Sequence, residues 1–233
     1  MRLAKYLAHA GVASRRAAEE LIRAGRVRVG GEVITDPAHD TAAGAEVAVD
    51  GEAVAPEPRE VWALNKPAGV ISTASEPGRR RAVTELVDSE RRLYPIGRLD
   101  ADSTGLILLS NDGELANRLT HPRFGVRKAY RVVLRRPPAE RELEALRRGV
   151  RLEDGPTAPA EVSRVGEREL ELTIREGRKR QIKRMAAAVG NEVEALRRVR
   201  IGPLELGSLA EGEVRRLGSD EVRSLWEDSR PDD

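Results

Sequence analysis

An arginine and a carboxylate lie together on a loop that a buried strand is expected to anchor. Arg98 and Asp100 belong to the glycine-bearing segment 97–105, and the apolar residues 106–109 follow directly. A run of four apolar residues is too short for a helix and predicts a buried strand. A carboxylate beside an arginine on an anchored loop is suited to acid–base or nucleophilic chemistry. The same two residues are also compatible with a purely structural ion pair.

A tyrosine and a basic cluster are the other candidates for chemistry. Tyr130 lies in the alternating segment 128–134, which predicts a strand, and its ring can stack on a base or handle a proton. A half-buried strand tyrosine without a function is the competing interpretation. Residues 178–184 hold five Lys and Arg residues at the predicted start of a helix. Positive charge there opposes the helix dipole, which indicates a nearby anionic group, with a solvated helix start as the alternative.

The composition excludes several classes of chemistry. The 233 residues include no cysteine, which excludes disulfides, thiolate metal sites and a thiol nucleophile. The three histidines, His9, His39 and His121, show no ligand spacing, so no metal site is expected. No apolar run approaches the roughly 20 residues of a membrane span, and no signal-peptide pattern is present, so we expect a cytoplasmic protein. The net charge of +2 leaves a nucleic-acid partner open, and the placement of the basic residues must decide it.

Residues 1–55 predict a small basic module. Two amphipathic helices end at Gly11 and Gly25, and short strands follow around the Gly30-Gly31 turn. A basic face on such a module is typical of contacts to nucleic-acid phosphates. Interleaved glutamates leave a solvated charged face as the alternative. The basic residues expected on the outer surface are Lys5, Arg15, Arg16, Arg23 and Arg26.

The remainder of the chain predicts a linker and a larger domain. Residues 56–60 are polar and proline-bearing and are typical of a linker. Residues 61–228 contain more strands than helices, without strict alternation, which predicts an α+β fold with a mainly antiparallel sheet. Residues 75–81 predict a mobile polar loop, and residues 229–233 a frayed tail.

Several segments, taken in order, resemble known sequence motifs. Four segments within residues 3–31 closely resemble the S4 RNA-binding domain, whose second helix and following turn hold structured RNA. Further along, the chain resembles the bacterial RsuA/RluB-type pseudouridine synthases that modify ribosomal RNA, through residues 64–70, 97–113, 120–122, 128–132 and 176–185. The departures are conservative: Ser103-Thr104 stands where Thr-Ser is more usual, and Ala129 replaces a common threonine. The resemblance implies an S4 domain followed by a synthase core with a mixed, mainly antiparallel sheet and flanking helices.

The resemblance implies a reaction that needs no cofactor, metal or redox step. Uridine becomes pseudouridine when its N1–C1′ bond breaks, the base turns, and C5 bonds to C1′. The target base must leave its stack, which costs a few kcal/mol. By resemblance, Asp100 is the essential carboxylate, which either attacks the sugar or removes a sugar proton. A buried carboxylate needs a cation to stay ionised, and the resemblance supplies Lys183, with Arg180 as the second choice.

The same resemblance assigns roles in substrate binding. Arg98 matches the arginine that fills the space left by the flipped base, and Tyr130 matches the tyrosine that packs against the target uracil. Asp102 is assigned a structural role. The remaining residues expected to bind substrate are Arg178, Arg180 and Gln181, and those that match the basic positions of the S4 domain are Arg15, Arg16, Arg23 and Arg26.

Three alternatives accompany this hypothesis. Residues 179–185 favour a large-subunit (23S) rRNA target, and a small-subunit (16S) target is the first alternative. The second is a non-catalytic S4-type RNA-binding or ribosome-assembly factor, against which the intact set of candidate residues argues. The third is a glycoside hydrolase with Asp100 and Asp102 as its acid pair, which would need neither the basic module nor the basic helix start. We expect a monomer whose partner is ribosomal RNA or a pre-ribosomal particle.

Overall fold

A computed structural model describes residues 1–42, 44–74, 78 and 80–229. Four residues of the loop predicted over 75–81 lie outside the described residues, as does the predicted tail apart from Ser229. The chain forms two compact units. The first comprises Met1–Glu60 with two short later segments, and the second comprises most of the chain from Val61 onward.

The first unit contains two helices followed by a four-stranded sheet. The strands pair antiparallel in the order β2-β1-β3-β4. This arrangement confirms the predicted helix pair and the hairpin. The elements are α1 (Leu3–His9), α2 (Arg15–Arg23), β1 (Val27–Val29), β2 (Glu32–Ile34), β3 (Val47–Val49) and β4 (Glu52–Val54).

Helix α2 forms for local and tertiary reasons. Ser14 caps its first turn, because the Ser14 hydroxyl oxygen accepts a hydrogen bond from the Ala17 amide at 3.2 Å. Its apolar side packs into the core of the unit, where Ile22 and Leu7 are fully buried. The charged side therefore stays outside, which leaves Arg15 and Arg16 exposed to solvent.

The second unit is built on a nine-stranded sheet within the described residues. Its strands are β5 (Val61–Lys66), β6 (Tyr94–Ile96), β7 (Thr104–Ser110), β8 (Lys128–Leu134), β11 (Glu161–Arg164), β12 (Glu169–Ile174), β13 (Val193–Ile201), β14 (Leu204–Glu205) and β15 (Val214–Arg216). A separate short pair is formed by β9 (Arg151–Leu152) and β10 (Gly155–Pro156). The helices are α3 (Gly113–Thr120), α4 (Glu140–Arg148), α5 (Gln181–Ala188) and α6 (Ser219–Asp228), with 3-10 turns at Val83–Leu86 and Pro122–Phe124.

The main strand order is β11-β12-β8-β13-β7-β5-β15, with β14 beside β13 and β6 beside β7. The pairings are antiparallel except that of β13 with β7, which is parallel. The predicted α+β fold with a mixed, mainly antiparallel sheet is thus confirmed. No helix in the described part of the chain combines the length and apolar character that a bilayer crossing demands.

Strand β7 is the centre of this unit. Residues 106–109 form a strand, as predicted, and their side chains alternate between two apolar layers, so both faces are buried. Gly105 allows β13 to approach, because its φ is +99° and an added Cβ would overlap the carbonyl oxygen of Arg198. Beyond β7, the Asn111 side chain accepts from the Glu60 amide at 2.9 Å and donates to the Pro58 carbonyl at 3.1 Å.

Candidate active site

The loop that carries Asp100 is fixed to a neighbouring segment by hydrogen bonds to the loop backbone. The Ser72 hydroxyl donates to the Leu99 carbonyl at 2.9 Å and accepts from the Leu99 amide at 3.0 Å. The Gly69 amide donates to the Ala101 carbonyl at 2.7 Å. These bonds hold the residues on either side of Asp100, so the backbone at Asp100 has a defined position.

A buried lysine supports the same loop. Lys66 has no solvent exposure, and its ammonium donates to the carbonyls of Pro67 at 2.8 Å and Val70 at 2.7 Å. A longer contact of 3.4 Å reaches the carbonyl of Ala101. Burial lowers the pKa of Lys66 to about 8, and nearby carboxylates, Asp102 most strongly and Asp100 least, oppose that shift. Lys66 therefore links the end of β5 to the Asp100 loop and places positive charge close to it.

A cleft of about 350 Å³ opens beside this loop, within the size range of small-ligand sites. Its walls come from the Asp100 loop, strands β8, β12 and β13, and the segment that leads into α5. Six of the predicted site residues line it: Arg98, Asp100, Tyr130, Arg178, Arg180 and Gln181. Lys183 does not belong to this lining.

Tyr130 and Arg98 occupy different depths of the cleft. Tyr130 is 7% exposed and lies on the sheet, whereas Arg98 is exposed to solvent. In the described part of the chain no ion pair joins Arg98 to Asp100, so the structural ion pair left open by the sequence does not form. Asp100 itself is half-buried and faces the cleft. A carboxylate in this position is accessible to an inserted ligand.

The lysine expected to face Asp100 pairs with another carboxylate. Lys183 Nζ lies 2.6 Å from Asp102 Oδ1, and the Arg180 guanidinium lies 4.0 Å from Asp102 Oδ2. The hydrogen bond from Lys183 is the main reason that the pKa of Asp102 is lowered. A turn closed by the Ser103 amide and the Asp100 carbonyl, 3.0 Å apart, separates the two carboxylates: Asp100 lines the cleft and Asp102 does not. The expected pairing of Lys183 with Asp100 is corrected accordingly.

The side chains of Arg178 and Gln181 are engaged within the cleft wall. The Gln181 amide oxygen accepts from the Arg178 backbone amide at 3.0 Å, and the Gln181 side-chain amide donates to Glu176 at 2.5 Å. Arg178 also bonds Glu176 at 3.2 Å and the Pro156 carbonyl at 2.5 Å. These bonds shape the wall, and direct contact of the two residues with substrate stays a prediction.

The positive start of α5 meets carboxylates of the chain itself. Arg184 forms a bidentate pair with Asp154, which holds the pKa of that carboxyl below its usual range. Asp102 likewise forms an ion pair with Lys183. The anionic group expected at this helix start is thus supplied in part by Asp102 and Asp154.

Two basic residues of the cleft escaped the sequence analysis. Lys128 and Arg198 both line it, on β8 and β13. Arg198 is 3% exposed, and its Nε donates to the Leu106 carbonyl at 2.7 Å. Burial, reinforced by the charge of Arg198, lowers the pKa of Lys128 to about 8. The basic residues around position 198 suggest an exposed strand face, and only the non-local pairing of β13 with β7 buries this one.

The first unit presents the predicted basic residues on its surface. Arg15 and Arg16 are exposed, and neither forms an ion pair within the described residues. Arg23 lies 3.4 Å from Glu19, and the Arg26 Nε donates to Asp50 at 2.9 Å. Lys5 is half-buried. The charges of Arg15 and Arg16 are therefore the more available ones.

The fold and the cleft place the chain in a known enzyme class. A family profile described as RNA pseudouridylate synthase matches residues 60–188, and an S4 domain profile matches residues 1–47. A solved structure described as a pseudouridylate synthase superposes with a TM-score of 0.72 at 34% identity, covering 97% of this chain and 99% of the other. The chain belongs to the RNA pseudouridine synthases, which are isomerases, and carries an N-terminal S4 domain.

Two relatives show which type of pseudouridine synthase the chain resembles. The ribosomal large subunit pseudouridine synthase B of Bacillus subtilis is 43% identical over 231 residues, covering 96% of this chain and 95% of the relative. The ribosomal small subunit pseudouridine synthase A of Escherichia coli is 39% identical, covering 97% of this chain and all of the relative. The resemblance to the RsuA/RluB type is thereby confirmed.

Proposed function

We propose that this enzyme converts uridine to pseudouridine in ribosomal RNA, and that its target lies in the large-subunit rRNA. The observation that carries the reaction is the cleft in which Asp100, on a fixed loop, shares the lining with Tyr130. The proposal for the large subunit rests on the wording of residues 179–185 and on the 43% identity to the Bacillus subtilis large-subunit enzyme.

Each cleft residue takes a role that fits its depth. Asp100 faces the inserted nucleotide and either attacks C1′ or removes a sugar proton. Tyr130, which is nearly buried, packs its ring against the uracil. Arg98, exposed at the mouth, fills the gap that the flipped base leaves in the RNA stack. Lys183 acts indirectly, by its ion pair with Asp102, and the Arg180 guanidinium lies near the same Asp102 carboxylate.

Residues 1–55 serve as the RNA-binding module, residues 56–60 as the linker and residues 61–228 as the catalytic domain. The exposed Arg15 and Arg16 bind phosphates of structured RNA, so they add affinity without choosing the uridine. Lys5, Arg23 and Arg26 extend that surface. The enzyme acts as a monomer in the cytoplasm, on rRNA or on a pre-ribosomal particle, and needs no cofactor.

A small-subunit target is the second candidate, favoured by the full-length likeness to the Escherichia coli small-subunit enzyme. Carbodiimide mapping of both rRNAs after incubation with the protein separates the two. We expect one new pseudouridine in large-subunit rRNA with the wild-type enzyme and none with Asp100→Asn. The surface variant Asp220→Asn, whose carboxylate is 87% exposed, is the control and should leave the modification intact.

The outcomes of the mapping differ in what they reject. A single reverse-transcription stop in small-subunit rRNA would support the proposed reaction but would place the target uridine in the small subunit. Modification by Asp100→Asn would reject its essential role. The absence of any stop with wild-type protein on naked rRNA and on pre-ribosomal particles, with RNA binding retained, would favour the non-catalytic assembly factor.

A further inference from the structure

The deep part of the cleft holds two cations that no carboxylate neutralises. Arg198 is 3% exposed, and its Nε is bonded to the Leu106 carbonyl. Its Nη2 is buried and has no hydrogen-bond partner in the described part of the chain. The Lys128 ammonium donates to the Val126 carbonyl at 3.1 Å. Neither cation forms an ion pair with any carboxylate among the described residues.

This arrangement is costly without a ligand. The half-buried Lys128 ammonium and the buried, unpaired Nη2 of Arg198 both lose hydration, and no carboxylate among the described residues compensates for that loss. Burial, and after it the repulsion from Arg198, lowers the pKa of Lys128 to about 8. An acceptor that carries negative charge, placed in the cleft, would satisfy the free Nη2 and relieve the repulsion.

The position of the pair indicates which part of a nucleotide meets it. Arg198 stands directly opposite Tyr130 in the pairing of β13 with β8, and both line the cleft. Both are nearly buried, whereas Arg98 and Arg180 are exposed at the mouth. Backbone phosphates stay on the RNA strand and meet the exposed cations, while an inserted base reaches the buried ones.

We propose that Arg198, assisted by Lys128, stabilises the negative charge that forms on the uracil ring when it leaves the sugar. The inference rests on the proposed function. When the N1–C1′ bond breaks, its electron pair stays on the uracil. The sugar then follows one of two routes: the Asp100 carboxylate bonds to C1′, or it removes a proton from the neighbouring C2′. The ring anion shares its charge between O2 and O4, which are acceptors for the free Nη2 of Arg198.

The remainder of the reaction restores neutrality. The turned ring attacks C1′ through C5, which forms the new carbon–carbon bond. In the first route this attack releases Asp100 from C1′, and in the second Asp100 returns its proton to C2′. C5 then loses its proton and N1 gains one, so atoms and electrons balance without an oxidant or reductant. Donors fixed where charge develops stabilise the transition state more than the ground state. Arg198 therefore affects the rate of bond cleavage more than the affinity for RNA.

The first test compares variants of the full-length enzyme on an rRNA fragment that contains the mapped target. Arg198→Met should lower the single-turnover rate about 100-fold, as loss of a preorganised donor does, while the Kd for RNA stays within about threefold. Arg198→Lys should recover part of the rate because it keeps the charge. Arg197→Met is the matched control, since Arg197 is the exposed neighbour on β13 and does not line the cleft.

The second test changes the leaving group. A fragment with 5-fluorouridine at the target gives a ring anion that fluorine stabilises, so bond cleavage depends less on the protein. We expect the rate defect of Arg198→Met in N1–C1′ cleavage, read by chromatographic separation of the nucleosides of the digested RNA, to shrink at least about fivefold with this substrate. A merely structural role of Arg198 would give equal defects on both substrates.

The outcomes are separable from those of the proposed function. If wild-type protein forms pseudouridine and Asp100→Asn does not, the proposed function is supported. The Arg198 variants then test only whether Arg198 stabilises the negative charge on the uracil. Equal defects on both substrates, or a loss confined to the Kd as for a phosphate contact, would overturn the proposal. If Arg198→Met fails to fold, Lys128→Met takes its place and must show the same dependence on the leaving group.

Discussion

The two units of the molecule carry the same kind of charge in opposite environments. Arg15 and Arg16 of the first unit are exposed on α2, whereas Lys66 and Arg198 of the second unit are buried around the cleft. Water and salt screen the exposed charges, which suits them to bind phosphates by long-range attraction. The buried charges are poorly screened and act strongly over short distances. The proposed function therefore divides RNA binding and chemistry between the units.

The buried lysine gives the largest expected effect on stability. Lys66→Met removes an ammonium that bonds three backbone carbonyls, and leaves those acceptors buried without partners. We expect the free energy of unfolding to fall by about 2–4 kcal/mol in urea denaturation, since each orphaned acceptor costs about 1–3 kcal/mol and removal of the buried charge offsets part of the loss. Lys128→Met, which removes one such bond, is the matched comparison and should lose less. Equal losses in the two variants would show that Lys66 does not brace the Asp100 loop.

The exposed arginines should govern affinity. The double variant Arg15→Ala/Arg16→Ala should weaken RNA binding about 100-fold, because each of the two lost charged phosphate contacts contributes roughly 1.5 kcal/mol. The slope of log Kd against log salt should fall by about 1.8 if the two lost phosphate contacts are to duplex-like, structured RNA. Filter binding across salt concentrations measures both, and the single-turnover rate at saturating enzyme should not change.

A second pair on the same surface sharpens that prediction. Arg23 and Arg26 already face Glu19 and Asp50, so Arg23→Ala/Arg26→Ala should weaken binding less than the first double variant. An equal loss of affinity would mean that RNA displaces Glu19 and Asp50 from these arginines. A drop in the single-turnover rate at saturating enzyme would show that the first unit also contributes to the chemical step.

A further prediction concerns pH. The pKa of Lys128 falls from its ordinary 10.5 to about 8 on folding, so between these values the unfolded chain holds the proton and the folded chain does not. Stability gained from this group therefore rises as pH increases from about 8 towards 10.5. Wild-type protein should gain stability relative to Lys128→Met over that window in urea denaturation. A difference that stays constant with pH would place Lys128 in a wetter, more exposed environment.

Particular residues show how far the sequence reaches. The apolar run 106–109 predicts β7, and Ser14 predicts the start of α2, because both signals are local. The cleft position of Arg198 depends on the parallel pairing of β13 with β7, which joins distant segments and leaves no local periodicity. The pairing of Lys183 with Asp102 instead of Asp100 depends on the turn over residues 100–103, which spacing alone does not reveal.

The central claim is that the Asp100 carboxylate carries the chemistry and the first unit carries the binding. Measuring both the Kd and the single-turnover rate of Asp100→Asn on the mapped rRNA fragment tests it most directly. We expect a rate lowered by about 10³-fold or more, as for loss of an essential acid–base or nucleophilic group, with a Kd within about twofold of wild type. A rate near that of wild type, or a loss that appears wholly in the Kd, would contradict it.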